Sequence, residues 1–343
     1  MLKDFLQVKN LVKKFGDFTA VNDVSFSVGA GESFALLGES GCGKTTLLRS
    51  LAGLENPDRG FISINETVFF DNKNIIPVNQ RNIGLVFQDY AVFPHKSVEE
   101  NITFGVRSKA EKPQKLKQMM SMFHLEDQQG KMPDQLSGGQ LQRVAIARTL
   151  AASPSLILMD EPFSNLDKKL GIELRNELKS IFKEEGLASI LVTHDQQEAL
   201  AYADKVAVMK SGKILQIGSP EDLYLFPLSI EVAEFLGNCQ FIEGEATGNS
   251  AETSLGTLEL ARPLNGAVKV LVRPENISAE VSEQGEFTVQ EMTFLGSTRV
   301  LQVTDGEKVL RVSVPSHQNI IAGSKLKIKV NSPVAAFKLP ENR

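Results

Sequence analysis

The sequence predicts an α/β fold built on a buried parallel sheet, followed by a separate, smaller all-β domain. Three features carry that prediction. First, the apolar run SFALLG ends in a glycine-rich turn, and the chain then takes up helical spacing in TTLLRSLAGL. Second, two runs apolar on both faces, SLILMD at 155–160 and ASILVTH at 188–194, flank the amphipathic segment KKLGIELRNELKSIFKEEG. Doubly apolar strands separated by a helix belong to a sheet covered on both sides. Third, beyond about Gly237 the pattern changes to short alternating runs, VKVLVRPENI, TRVLQVTD, KVLRVSVP and KLKIKV, divided by Gly or Pro. Such runs make a barrel or sandwich.

Taken in order, the first third alternates strand-like runs with turns: FLQVKNLVKKF, VNDVSFSV, SFALLG, GFISINETVFF and NIGLVFQ, which together suggest a mixed sheet. From about 90 to 152 polar and apolar residues recur at helical spacing, broken at Pro113 and Pro133, and this stretch is expected to be a helical subdomain. The expected division is therefore residues 1–237 and 238–343. A chain of 343 residues, 42% hydrophobic and 23% charged, suffices for two cores of that kind. A net charge of −5 argues against non-specific nucleic-acid binding, which needs an excess of Lys and Arg. The opening residues MLKDFLQVKNLVKKFGDF lack the apolar core of a secretory signal, and no run approaches the ~18 apolar residues of a spanning helix. A cytosolic chain is expected, reaching a membrane only through a partner. Two cysteines, Cys42 and Cys239, exclude a disulfide framework.

Three segments carry chemistry. Gly38-Glu39-Ser40-Gly41-Cys42-Gly43-Lys44-Thr45 satisfies G-x-x-x-x-G-K-[ST] between a strand and a helix. Glycines let backbone N–H groups close on phosphate oxygens, Lys44 supplies a charge to the β- and γ-phosphates, and the Thr45 hydroxyl suits Mg²⁺. The helix that follows adds its positive end. Gly38, Ser40, Gly41, Cys42, Gly43, Lys44, Thr45 and Thr46 are thus the expected nucleotide contacts. Next, SLILMDEP delivers Asp160 and Glu161 at the carboxyl end of a buried strand, where ligands of open α/β sheets bind. Alone, such an acidic pair more often caps a helix. Beside a phosphate loop, Asp160 is expected to meet Mg²⁺ and Glu161 to act as the base that polarises the attacking water. Finally, Leu136-Ser137-Gly138-Gly139-Gln140 is a second Ser/Gly turn opening a helix, and so a second anion cradle on one chain. The plain alternative is an ordinary Ser cap.

The combination resembles the ATP-binding subunit of ABC (ATP-binding cassette) transporters, over essentially the whole chain: LSGGQ is the family signature, and it occurs with the phosphate loop, ILMDEP and the later LVTHD. The resemblance implies an ATPase with a RecA-like P-loop NTPase core, an antiparallel β subdomain, a helical subdomain and a C-terminal OB-like domain of the TOBE type. It implies that Gln88 in LVFQDY senses Mg²⁺ and water, that His194 contacts the γ-phosphate, that Asp167 in SNLD crosses to another subunit, and that Phe15 stacks on adenine. Catalysis is thereby expected of Glu161, His194 and Gln88, with Thr45, Gln88 and Asp160 around Mg²⁺. It implies a homodimer enclosing two ATP molecules, each between one chain's phosphate loop and the other's Ser137, Gly138, Gly139 and Gln140. The two cradles then serve different nucleotides. The segment YAVFPHKSVEENITFG resembles the surface that receives a permease. Phe15, Asn165 and Leu141 stand where the family more often has Tyr, Ala and Gln.

The resemblance also implies a peripheral protein at the cytoplasmic face of the inner membrane, working with permease subunits and, indirectly, a periplasmic or lipid-anchored solute-binding protein. LVRPENI and FLGSTRVLQV resemble the TOBE domain, and the layout of RNIGLVFQDYAVFPHKSVEENITFGV with GKILQIGSPEDLYLFP resembles the ferric iron and polyamine branch. The short TOBE and EFLGNCQFIEGEA segments point to ferric iron as solute, with polyamine, sulfate, phosphonate and sugar as alternatives. A DNA-repair or translation ABC ATPase would carry a long heptad insertion, a basic stripe or a second cassette, none of which appears. Cys42, beside Lys44 at a helix N-terminus, is expected to have a lowered thiol pKa, so that alkylation blocks ATPase activity; the equal alternative is an inert loop position.

Overall fold

The computed structural model describes residues 4–331 and 333–339, and these divide into two compact units, Met1–Pro220 and Glu221–Arg343.

The N-terminal unit holds two sheets. Strands β1 (Asp4–Phe15), β2 (Phe18–Gly29), β4 (Arg59–Ile64) and β5 (Thr67–Phe70) form an antiparallel sheet in the order β2-β1-β4-β5. The second sheet contains β3 (Ser33–Gly38), β6 (Ile83–Val86), β7 (Leu156–Asp160), β8 (Ala188–Thr193), β9 (Lys205–Lys210) and β10 (Lys213–Gly218), in the order β10-β9-β3-β8-β7-β6. All its pairings are parallel except β10 with β9. The first third therefore builds two sheets where one mixed sheet was expected. The reason lies in burial: β2 alternates between buried and exposed positions, as a sheet with one wet face must, whereas every residue of β8 is buried. Leu6, Val8 and Phe26 from one sheet, Phe34, Leu36 and Ile190 from the other, and Leu47, Leu48 and Leu51 form one core, in which the Phe26 and Phe34 rings stack at 5.0 Å.

Helices α1 (Lys44–Ala52), α5 (Lys168–Glu184) and α6 (Gln196–Tyr202) follow β3, β7 and β8, while α2 (Val98–Ile102), α3 (Lys112–Met122) and α4 (Gly138–Ala151) lie between β6 and β7. The Ser-x-x-Glu and Ser-x-x-Gln spacings at Ser97 and Ser137 each close a reciprocal capping box that starts α2 and α4. Parallel register decides where the site lies. Leu37 pairs with Thr193, Val192 with Asp160, and Met159 with Val86, so the carboxyl ends of β3, β8, β7 and β6 share one edge of the sheet.

One device that the sequence did not announce anchors α1. Arg81, 1% exposed, donates to the carbonyls of Ser50 and Leu51 at the end of α1 and to that of Ile76. It so answers orphan carbonyls that every helix end leaves open. Arg81→Met is expected to strand three carbonyls and destabilise this unit by ~3 kcal/mol, lowering its Tm by about 8 °C. Thermal unfolding checks it, and an unshifted Tm would show that other donors reach those carbonyls.

In the C-terminal unit, α7 (Pro220–Leu225) and α8 (Ile230–Phe235) precede β11 (Gln240–Thr253), β12 (Gly256–Val272), β13 (Ile277–Val281), β14 (Phe287–Phe294), β15 (Thr298–Thr304), β16 (Val309–Pro315), β17 (Lys325–Val330) and β18 (Ala336–Lys338). A three-stranded sheet, β11-β12-β18, and a five-stranded one, β13-β17-β14-β15-β16, contribute to one apolar core. This is the strand-rich, OB-like architecture expected after the change in pattern. The division falls at Pro220 rather than at Gly237 because α7 and α8 pack with the strands that follow them. Arg273, buried at the end of β12, lies over the Tyr224 ring at 3.8 Å and donates to the carbonyls of Tyr224, Ala233 and Asn238. Ala233 joins Leu271 and Ala335 in a small apolar cluster.

Candidate active site

Between β3 and α1 the chain must turn sharply with no room to spare. Gly41 and Gly43 sit at φ 81° and 106°, in the left-handed region that disfavours side chains. A Cβ on Gly43 would lie 2.0 Å from the Ala20 carbonyl oxygen, and one on Gly38 2.3 Å from that of Met209. Ser40 and Gly41 are exposed at the tip of the loop, and Thr45 and Thr46 are half-buried on the first turn of α1. No side chain caps that helix, so its first N–H groups remain available to an anion. The Lys44 ammonium, 4% exposed, donates to the carbonyls of Gly38 at 2.7 Å and Glu39 at 2.9 Å. A buried positive charge thus stands in the mouth of a ring of backbone, shaped to receive phosphate.

Across the sheet edge, the Thr45 hydroxyl donates to Asp160 Oδ1 at 3.0 Å. Burial pushes the Asp160 carboxyl above its ordinary range and the Glu161 charge adds to this, while the Thr45 bond and the Arg49 and Lys44 charges oppose it. Glu161 follows at φ 46°, a costly conformation for a residue with a side chain. It is held there by its N–H to the Val192 carbonyl and by its own carbonyl, which accepts from the Ser164 N–H and hydroxyl. The twist aims the Glu161 carboxylate at His194, whose Nδ1 lies 3.1 Å from Oε2. Two side-chain contacts, Thr45 with Asp160 and Glu161 with His194, thus meet at consecutive residues of one strand end, and Thr45 directly follows Lys44 in the chain. Among the described residues no cluster of three His, Cys, Asp or Glu could cage a metal. The Thr45 hydroxyl and Asp160 carboxylate are instead two hard oxygen donors of the kind that hold Mg²⁺ together with phosphate oxygens.

Gln88, exposed, lies two residues beyond the end of β6, and its carbonyl accepts from Asn165 Nδ2 at 3.1 Å. The residues beyond it, Tyr90 and Ala91, are left-handed at φ 58° and 50°, and Arg148 of α4 donates to the Ala91 carbonyl at 2.8 Å. Asn101, fully buried, bonds the backbone of Phe93 twice and those of Lys96 and Ser97. The segment after Gln88 is thereby tied to α4 and α2. The roles of Arg148 and Asn101 were not legible in sequence, because each acts on backbone elsewhere in the chain.

Among the described residues, the remaining candidates make no hydrogen bond to this group, although Asp167 lines the same cavity as Glu161 and His194. Ser137 and Gln140 bond one another at the start of α4. Gly138 is exposed, and a Cβ on it would come 3.2 Å from the Tyr90 hydroxyl. Gly139 is buried, and a Cβ there would meet Leu170 at 2.4 Å, which gives this glycine a packing reason of its own. Asp167 caps α5 through the Leu170 N–H. Phe15, 48% exposed, ends β1 beneath the Lys13 ammonium, at 4.9 Å, and pairs with Phe18, which is more exposed still.

Cys42 corrects an expectation. It is 8% exposed, with its sulfur 3.8 Å from the Lys44 ammonium. Burial pushes its thiol up, and this outweighs the pull of the Lys44 charge and of the hydrogen bonds around it. With the folded pKa raised, the thiolate is scarce at neutral pH and grows only in alkali. Alkylation by iodoacetamide at pH 7.5 is expected to be at least ~10-fold slower at Cys42 than at free cysteine. Peptide mapping over time measures it, and rapid labelling would mean the loop opens to expose the sulfur.

The ABC transporter family model matches residues 21–164. The Fe(3+) ions import ATP-binding protein FbpC 2 of Pectobacterium atrosepticum is 39% identical over 343 aligned residues, covering 97% of this chain and 99% of its own. The spermidine/putrescine import ATP-binding protein PotA of Pseudomonas aeruginosa is 40% identical, covering 90% of both chains. Among solved structures, cbiO1 from Clostridium perfringens, part of the ABC transporter complex cbiONQ, superposes with a TM-score of 0.59 at 30% identity, over 64% of this chain and 90% of that one.

Proposed function

The chain belongs to the ABC transporter family, and from that premise we propose that it powers ferric iron uptake as the ATP-hydrolysing subunit of an importer, working as a homodimer beneath a partner permease. It is an ATPase and the ATP-binding subunit of an importer. The observation that carries the mechanism is that two contacts made across separate strands, Thr45 to Asp160 and Glu161 to His194, stand on consecutive residues at the end of β7, with Thr45 next in the chain to the loop-bound Lys44.

In this reading the loop N–H groups and Lys44 bind the triphosphate, and Mg²⁺, when bound beside Thr45 and Asp160, neutralises phosphate charge. Glu161 takes the proton of the attacking water as it closes on the γ-phosphate. His194 lies with Nδ1 against Glu161, which leaves Nε2 to donate to a γ-phosphate oxygen when that nitrogen carries a proton. Gln88 stands where it would report occupancy of the site to the segment 88–101, which we assign to the permease contact. Phe15 supplies a face for adenine. Ser137, Gly138, Gly139 and Gln140, whose side-chain bonds close within their own turn, are offered to the nucleotide of a second copy, as is Asp167. We further infer that the C-terminal unit regulates rather than catalyses, since every one of these residues precedes Pro220. Among the described residues no helix is long and apolar enough to cross a membrane, so attachment to the cytoplasmic face is assigned to the permease.

Ferric iron is supported by the relatives named for that ion, which span nearly the whole chain; a relative named for spermidine and putrescine supports polyamine as the second reading. Uptake in cells with and without the chain separates them. Labelled ferric iron uptake is expected to fall to background without it while spermidine and sulfate uptake hold. Selective loss of spermidine uptake would transfer the assignment to polyamines.

A further inference from the structure

We propose that Glu198 is a positioning residue for ATP hydrolysis: through Thr193 and Asp195 it sets the turn that carries His194, and so fixes where the imidazole meets Glu161. The inference rests on the reading of Glu161 and His194 given above.

Thr193 is the last residue of β8 and 1% exposed, and its hydroxyl donates to Glu198 Oε2 at 2.5 Å. The Thr193 hydroxyl oxygen in turn accepts the Asp195 N–H at 3.0 Å, and Asp195 Oδ1 accepts the Glu198 N–H at 3.0 Å. These three bonds close a ring over the turn from β8 into α6. The residue enclosed by it, His194, sends its imidazole to Glu161. An ordinary cap of α6 would need only Asp195. Neither the Thr193 hydroxyl nor the Glu198 carboxylate is required for it, yet both are there, and the carboxylate stands against a cost. Burial raises the Glu198 pKa, and the Asp195 charge raises it further, opposed by the Thr193 bond and by the charges of Arg175 and His194.

Arg175 lies beside this group and opposes the effect of burial. It is 9% exposed, its Nε has no partner among the described residues, and it lines the same cavity of about 470 Å³ as Glu161, Thr193, His194 and Glu198. Its positive charge favours the ionised form of Glu198. An ionised carboxylate can only accept, so the Thr193 hydroxyl must donate to it and keeps its lone pairs for the Asp195 N–H. An acceptor oxygen at Glu198 thereby gives the ring one hydrogen-bond direction and the turn one shape. A catalytic group held to within a fraction of an ångström gains most from such support.

The test uses the full-length ATPase, with kcat, KM for Mg-ATP and Tm measured together. Glu198→Leu and Thr193→Val are expected to lower kcat about tenfold or more, with KM within ~2-fold. Glu198→Gln, whose amide oxygen still accepts from Thr193, should keep at least about half the rate. Thr193→Val preserves volume within a buried strand and guards against simple misfolding. In a His194→Ala background, Glu198→Leu should cost less than ~2-fold more, because its effect passes through the missing imidazole. Full additivity of the two losses overturns the proposal, as does a fall in Tm with kcat unchanged. If His194→Ala itself turns over normally, the reading of the site fails. If His194→Ala is slow while Glu198→Leu and Thr193→Val are both fast, only this inference fails.

Discussion

Glu161→Gln is expected to cut ATP hydrolysis by ~10²–10⁴-fold, the ordinary contribution of a positioned general base, while ATP affinity stays within about threefold. The substitution is nearly isosteric, and what holds residue 161 in place is backbone: its N–H bonds Val192, and its carbonyl takes both donors of Ser164. The left-handed φ of 46° is thus imposed by the strands and the turn rather than by the side chain. What the amide loses is basicity. It can still accept from His194 Nδ1 but cannot take a proton from water. Lys44→Ala should behave in the opposite way, weakening ATP binding itself, because the ammonium already stands among the carbonyls of the loop. Phosphate release and fluorescent-nucleotide titration distinguish the two. Near-normal turnover in Glu161→Gln would mean that another group accepts the proton.

Trapping the dimer is the second large effect. If ATP is held between the phosphate loop of one copy and Ser137, Gly138 and Gly139 of another, ATP binding is linked to association, and an enzyme unable to hydrolyse should stay associated. Glu161→Gln is expected to run as a monomer on sizing chromatography without nucleotide and as a dimer with Mg-ATP. Adding Gly138→Asp should abolish the dimer by bringing a carboxylate against phosphate, with ATP binding to the monomer largely kept because Lys44 and Thr45 are untouched. Gly138 suits this test better than Gly139. It is exposed and its new Cβ would only press the Tyr90 hydroxyl at 3.2 Å, whereas a side chain at Gly139 would strike Leu170 and damage the fold. An ATP dimer that survives Gly138→Asp would reduce the Ser/Gly turn to a helix cap.

The parts of this site that could be read from sequence are those in which neighbours along the chain are also neighbours in space. Phosphate loops and capping boxes are of that kind: the spacing from Gly38 to Thr45 and from Ser137 to Gln140 already contains the geometry. Asp160 and Glu161 were legible because a buried strand has only one end at which to place them. Arg81, Asn101, Arg148 and Glu198 were not. Each is an unremarkable polar residue in sequence, and each acquires its role only when folding presents it with a particular backbone carbonyl or hydroxyl to bond.

By itself, the sequence determined the α/β core with its all-β companion, the phosphate loop, the acidic strand end and the family, since these follow from periodicity and from contiguous motifs. Tertiary structure decided what depends on burial and register. It divided the early strands between two sheets and drew α7 and α8 into the C-terminal unit through Arg273. It brought Thr45 to Asp160 and Glu161 to His194 across separate strands. It also reversed the expectation for Cys42. Along the chain Lys44 is the sulfur's conspicuous neighbour and argues for a reactive thiolate. In the folded loop the sulfur is buried, and desolvation outweighs that single charge.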